Sequence, residues 1–228
     1  MNEFGFVKTC ACSPRIKVGD VDFNKKEIIS IINDKAYGDN HIFLFPELSL
    51  TGYTCGDLFH QSKLLDDSYN ALLEIKEYCY DKIVIVGLPL MYKSILFNVA
   101  AVIGNGKILG FVPKSYLPNY KEYYERRWFH SGKDLDISNR VNGIVISPNI
   151  LFDVDFCEEE GFMEYKRMTF GIEICEDMWV PNPPSVNHSL AGAQIIFNPS
   201  ASTETVGKAE YRRSLVEMTS ARNVCGYL

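Results

Sequence analysis

Short, nearly unbroken apolar runs alternate with amphipathic stretches along this chain. The runs Phe4–Cys12, His41–Phe45, Lys82–Leu90, Met168–Cys175 and Gln194–Asn198 read as strands, because continuous apolar sequence suits strands buried on both faces. Several stop at a proline: Ser13-Pro14, Pro46-Glu47 and Pro199. Between them, Asp22–Lys35 carries Ile28, Ile29, Ile31 and Ile32 at helical spacing, with Asn24 as the expected N-cap. Asp66–Tyr80, Ser185–Ala191 and Lys208–Asn223 also read as helices, the last with Tyr211, Leu215 and Met218 on one face. Ile95–Ile103 and Lys107–Val112 are joined by Gly104-Asn105-Gly106, a strong hairpin signal. Val141–Phe156 gives weaker strands, followed by an acidic surface segment around Glu158–Glu160. Strands alternating with helices, plus one antiparallel hairpin, predict a mixed α/β sheet rather than a purely doubly wound one.

Composition narrows the function classes. At 228 residues the chain is long enough for one substantial domain or at most two small ones. A net charge of -6 gives no electrostatic reason to expect nucleic acid or an anionic membrane as partner. No apolar run approaches a membrane span, and MNEFGFVKTCACSPR lacks the apolar core of a signal peptide, so a cytoplasmic location is expected. The 7 cysteines include no CxxC pair, and the 4 histidines form no ligand-spaced pair, so no metal site is expected. Cys10 and Cys12 share one face of a strand and read as core packing.

Three strand ends share one pattern, an apolar run followed by a single reactive side chain. They deliver Glu47 in FLFPEL, Lys114 in GFVPKS and Cys175 in GIEICED. Strand ends on one edge of a sheet converge in space although distant in sequence, and α/β proteins place their sites there. A cysteine nucleophile needs a base, which a carboxylate supplies, and a cation that stabilises an oxyanion, which a lysine supplies. Taken singly, Glu47 reads equally as a cap or surface carboxylate, Lys114 as a solvated charge, and Cys175 as a small buried hydrophobe. Only together do they read as a site.

FPELSLTGY, PKSYLPNY and ICEDMW resemble the Glu–Lys–Cys motifs of the nitrilase (carbon–nitrogen hydrolase) superfamily. LPNYKEYYERRWF and ICEDMW…PP…LAGA…NPSAS resemble, more narrowly, the glutaminase domains of glutamine-dependent NAD synthetases. The resemblance covers nearly the whole chain. It implies a nitrilase-like four-layer α-β-β-α sandwich and hydrolysis of L-glutamine to glutamate and ammonia through a cysteine thioester. Glu47 would then be general base, Cys175 nucleophile and Lys114 oxyanion stabiliser. Glu125 would be the second glutamate that supports the lysine, with Glu122 competing for that role. Tyr53, Tyr120, Glu176, Ser202 and Lys208 would bind substrate, with Ser200 competing with Ser202. Lys208 stands where some family members carry arginine, and lysine lacks the bidentate fork.

The resemblance also implies a second, ATP- and Mg-using synthetase domain that amidates deamido-NAD. No phosphate-gripping glycine loop occurs in residues 1–228, so the chain is expected to be the glutaminase domain alone, truncated before the last strands of its sheet. No cofactor is then expected for the glutaminase reaction itself. Pairing of nitrilase domains through their helical faces implies a homo-oligomer. A stand-alone amidase for another small amide, and an inactive fragment serving as an assembly module, are the competing readings.

Overall fold

A computed structural model describes residues 6–156 and 166–228. The acidic segment Glu158–Glu160 lies outside the described residues. The first sheet contains β1 (Thr9–Ala11), β2 (Ile42–Leu44), β3 (Ile83–Tyr92), β4 (Ile95–Gly104) and β5 (Lys107–Pro113), side by side in that order. β1, β2 and β3 run parallel, and β3, β4 and β5 form an antiparallel meander. The predicted hairpin joins β4 to β5. Asn105 and Gly106 there have φ of 51° and 67°, the pair of positive values that a tight two-residue turn requires. A short ribbon of β6 (Arg140–Val141) and β7 (Ile144–Val145) follows.

The second sheet is built from β8 (Leu151–Phe156), β9 (Lys166–Ile172), β10 (Ile195–Phe197) and β11 (Gly226–Tyr227), in the order β11-β10-β9-β8. β9, β10 and β11 are parallel, whereas β8 pairs antiparallel with β9.

Period-two alternation decides which side chains face which layer. Ile42, Leu44, Ile83 and Ile85 point from the first sheet toward Met168, Phe170 and Phe197 of the second. Phe43, Phe45, Val84 and Val86, the intervening residues, pack instead with α1 (Val21–Ile32) and α2 (Ser62–Ile75). On the far side of the second sheet, α3 (Pro184–Leu190) lies against β9 and α4 (Lys208–Asn223) against β11. The layers are therefore α-β-β-α. Between the sheets the ring of Phe170 stacks on Phe152 at 5.2 Å and meets Phe197 edge-on at 5.3 Å. The fully buried rings of Phe170 and Phe197 each contribute about 1.5–3 kcal/mol of transfer free energy.

Some local expectations change. α1 begins at Val21 with Asp20 as its cap, the Asp20 carboxylate accepting from Phe23 N at 3.1 Å. Asn24 is not a cap. Its side chain is fully buried, donating to Lys17 O and Leu50 O while accepting from Lys17 N. An amide that satisfies three backbone groups holds two loops together better than it would end a helix. Tyr211 and Met218 on α4 face solvent, at 63% and 66% exposure, and Tyr211 stacks on Trp179. Cys10 and Cys12 pack against the helix-side core with their sulfurs 3.6 Å apart, as their spacing implied. No helix among the described residues is long and apolar enough to cross a membrane.

Candidate active site

Glu47, Lys114 and Cys175 all lie just beyond strand ends, after β2, β5 and β9, and their side chains meet between the sheets. Glu47 leaves the end of β2 in a tight turn in which Leu48 has φ 51°. That turn sits directly on Gly87 of β3, where an added Cβ would stand 2.2 Å from Leu48 N. Lys114 follows β5 and is fully buried. Its Nζ is 2.6 Å from Glu47 Oε1 and 2.6 Å from Glu125 Oε1. Burial opposes the ammonium's charge, but Glu47, the field of Cys175 and Glu125 outweigh it and hold its pKa well above the ordinary lysine value.

Chain geometry presents the thiol. β9 ends at Ile172, and Cys175 opens a 3₁₀ turn running to Trp179. Its φ of 46° lies in the left-handed region, which a side chain with a Cβ occupies only when its surroundings impose it. Asn198, at the end of β10, is one such constraint, accepting from Cys175 N at 3.1 Å. Asp177 is another. Its buried carboxylate accepts from Ile174 N at 2.8 Å, Tyr116 N at 2.7 Å and Ser115 N at 3.1 Å, tying the cysteine turn to the segment that carries Lys114. Burial raises the Asp177 pKa to about 7 against the pull of those N–H groups.

Burial and the neighbouring Glu47 charge push the Cys175 thiol up to about 12, with Lys114 and the Ala201 N–H pulling the other way. The resting sulfur is thus protonated beside a carboxylate that can take the proton. Glu47 is oriented at both oxygens: Asn98 Nδ2 donates to Oε1 at 2.7 Å and Ala201 N to Oε2 at 3.1 Å.

Of the two competing glutamates, Glu125 is the one in contact with Lys114. It also accepts from Tyr53 OH at 2.6 Å, and its other oxygen is buried without a hydrogen-bond partner. Burial and the Glu47 charge raise its pKa to about 7, opposed by Lys114. Glu122 is exposed and accepts from Thr203 instead.

The remaining candidates form a rim. Tyr120 OH donates to both carboxylate oxygens of Glu176, at 3.1 and 3.0 Å. Glu176 is raised in pKa by burial, while Tyr120, Lys114 and Lys208 draw it back. Lys208 Nζ donates to Thr203 Oγ1 and stands over the rings of Trp179 and Tyr123. Ser202 meets Arg212 at 3.5 Å, whereas Ser200 donates to Asn198 Oδ1 at 2.6 Å. Ser200 is thus linked to the cysteine turn through Asn198. A cleft of about 610 Å³ opens beside Glu176 and Tyr120, with Arg126, His130 and Lys133 among its walls. No cluster of side chains with metal-binding composition occurs among the described residues.

Sequence reasoning missed Asn98, Asp177 and Asn198. Two of them carried a signal. Asn98 interrupts the otherwise apolar run ILFNVAAVI, and Asn198 ends IIFNPS in the manner of the other three strand ends.

The family model described as carbon-nitrogen hydrolase matches residues 8–226. A glutamine-dependent NAD(+) synthetase of Mycobacterium tuberculosis is 36% identical over 230 residues, covering 99% of this chain and 33% of the relative. The human protein of the same description is 31% identical over 228 residues, covering 97% of this chain and 31% of its own. The chain therefore spans about a third of the length of these relatives. Among solved structures, a glutamine-dependent NAD(+) synthetase from Cytophaga hutchinsonii superposes with a TM-score of 0.79 at 28% identity, covering 97% of this chain and 35% of that one. An amidase from Nesterenkonia of the nitrilase superfamily shares the fold, with a TM-score of 0.73 at 14% identity, and 97% and 76% of the two chains covered. With a family model matched along nearly its whole length, the chain belongs to the carbon–nitrogen hydrolase family.

Proposed function

We propose that this chain is a glutaminase domain that releases ammonia from L-glutamine for the ATP-dependent amidation of deamido-NAD to NAD. The observation that carries the reading is the buried contact of Lys114 with both Glu47 and Glu125 beside Cys175. Similarity along 99% of the chain to a glutamine-dependent NAD(+) synthetase supports it.

In this reading Glu47 takes the Cys175 proton as the sulfur attacks the amide carbon of glutamine. The oxyanion is held by Lys114 Nζ and the backbone N–H that follows the cysteine. Glu47 returns the proton to the departing nitrogen, ammonia leaves, and a glutamyl thioester remains on Cys175. Water then attacks the thioester with Glu47 again as base, the carbon–sulfur bond breaks, Glu47 passes the proton to the leaving Cys175 sulfur, and glutamate departs. Glu125 supports Lys114 and orients that water through its unpartnered oxygen, and Tyr53 fixes Glu125. Glu176 with Tyr120 receives the substrate's α-ammonium group, and Lys208 with Ser202 its carboxylate. The glutaminase step takes no cofactor; ATP and Mg belong to a synthetase domain. On this reading the domain works as a homo-oligomer in the cytoplasm.

The test is intact-mass spectrometry after mixing with glutamine. A glutamyl adduct on the peptide holding Cys175, absent in Cys175→Ala together with ammonia release, is the expected result. Unchanged glutamine hydrolysis by Cys175→Ala would remove the reading. Turnover of simple aliphatic amides with none of glutamine would favour a stand-alone amidase.

A further inference from the structure

A partly buried chain of hydrogen bonds reaches the backbone of the nucleophile, and the mechanism above does not use it. It starts at Glu173, two residues before Cys175 and fully buried. Glu173 Oε1 accepts from Tyr227 OH at 2.5 Å, and Oε2 accepts from Ser185 N at 2.7 Å. Tyr227 OH in turn accepts from Asn198 Nδ2 at 3.0 Å. Asn198 Oδ1 accepts from Cys175 N at 3.1 Å and from Ser200 Oγ at 2.6 Å. The members come from the ends of β9, β10 and β11, parallel neighbours in the second sheet.

We propose that Glu173, Tyr227 and Asn198 form a polarised relay that holds Cys175 in its left-handed backbone geometry and so aims the thiol. Direction is the heart of it. As a carboxylate, with Ser185 N and Tyr227 OH both donating to it, Glu173 has only acceptors, which leaves the phenol oxygen to accept from Asn198. That fixes the Asn198 amide with nitrogen toward Tyr227 and oxygen toward Cys175 N. The Cys175 N–H is thereby occupied, which leaves the next N–H free to face an oxyanion. Each bond polarises the next, so the series holds its shape more firmly than its separate members would. Non-glycine residues with φ near 46° need such support.

These are positioning residues, and the inference rests on Cys175 being the nucleophile, not on which amide it attacks. The test reverses the relay. In Asn198→Asp, position 198 still accepts from Cys175 N, but its second oxygen faces a phenol whose one proton is already given to Glu173. Both kcat for glutamine and the iodoacetamide alkylation rate of Cys175, read by peptide mass spectrometry, should fall about 10- to 100-fold, with KM within about twofold. Adding Glu173→Gln restores a consistent direction: the new amide donates to Tyr227, and Tyr227 donates to the aspartate. The double variant should recover most of both rates although the aspartate charge beside Cys175 is still there. Removing the Glu173 charge also relieves repulsion, but that relief would persist without the phenol, so rescue of Asn198→Asp by Glu173→Gln that disappears when Tyr227 is Phe belongs to the relay, and a merely structural role would make the two changes add. Tyr227→Phe, which breaks the relay without adding charge, should lower both rates and gain nothing from Glu173→Gln. A double variant no faster than Asn198→Asp, or an Asn198→Asp protein with wild-type alkylation, overturns the relay. A wild-type protein that leaves glutamine untouched while alkylation follows the predicted order sinks the glutaminase reading and keeps the relay.

Discussion

Lys114 Nζ lies 2.6 Å from Glu125 Oε1, the same distance that separates it from Glu47 Oε1, and all three side chains are buried. One cation therefore balances two carboxylates in a site with little solvent. Removing it leaves both uncompensated, so Lys114→Met should lose about 3–5 kcal/mol of stability, the usual cost of breaking a buried pair. Urea unfolding measures this. Glutamine hydrolysis should vanish in the same variant, and a midpoint equal to wild type would contradict the balance described.

Glu125 sets stability and activity against each other as pH changes. Burial and the Glu47 charge raise its folded pKa from 4.5 to about 7. A raised folded pKa means that its stabilising contribution is present below the unfolded value and is lost as pH rises through about 7. The ionised form is the one that supports Lys114 and orients water. The glutaminase rate should therefore rise through pH about 7 while the thermal midpoint falls over the interval from 4.5 to about 7. In Glu125→Gln the rate trend should flatten and the overall rate should drop, while the midpoint falls less steeply, keeping the share due to Asp177, whose pKa burial also raises to about 7. A rate profile with the same limb in the variant would assign that limb to another group.

Glu47→Gln should act in opposite directions on two measurements. Hydrolysis needs the base, and its loss costs about 10²–10⁴-fold. Alkylation by iodoacetamide reports the thiolate, whose formation the Glu47 charge opposes together with burial. At pH about 9, near the ordinary thiol range, alkylation of Cys175 should be faster in the variant than in wild type. Wild-type Cys175 should show no inflection near the free-thiol value of about 8.5. Parallel loss of both rates would mean that Glu47 acts chiefly by packing.

Gly87 is a remote lever on Glu47. A methyl group there would stand 2.2 Å from Leu48 N and 2.8 Å from the carbonyl carbon of Glu47, both backbone atoms that cannot swing aside. Gly87→Ala must push the Glu47 turn outward. A shift of about 1 Å costs on the order of 10²-fold in rate, so kcat should fall strongly with KM for glutamine little changed. Steady-state kinetics decides it, and an unchanged kcat would show that the turn relaxes freely.

Asp177→Ala should unfasten the cysteine turn from the Lys114 segment. The substitution strands the buried N–H groups of Ile174 and Ser115 and the half-buried one of Tyr116. Each unsatisfied donor costs about 1–3 kcal/mol, so a stability loss of about 3 kcal/mol or more is expected from denaturant titration. Asp177→Asn keeps one acceptor and should fall between the two.

The sequence by itself determined where the strands run, because apolar continuity and turn chemistry are local properties. The boundaries of α4 and the β4–β5 hairpin were legible for that reason. So were Glu47, Lys114 and Cys175 as a group, since each follows an apolar run in the same way. What only the tertiary structure decided is who touches whom. Glu122 and Glu125 look alike in YKEYYERR, yet only Glu125 reaches Lys114, because the 3₁₀ turn Glu125–Arg127 buries it and leaves Glu122 outside. Asn24 looked like a cap until burial gave it three backbone partners. Glu47 takes one hydrogen bond from a residue 154 positions away and a second from Asn98, 51 positions away. Partners at such separation leave no periodic trace along the chain. They exist only once the two sheets have packed and excluded the water that would otherwise have satisfied the same polar groups.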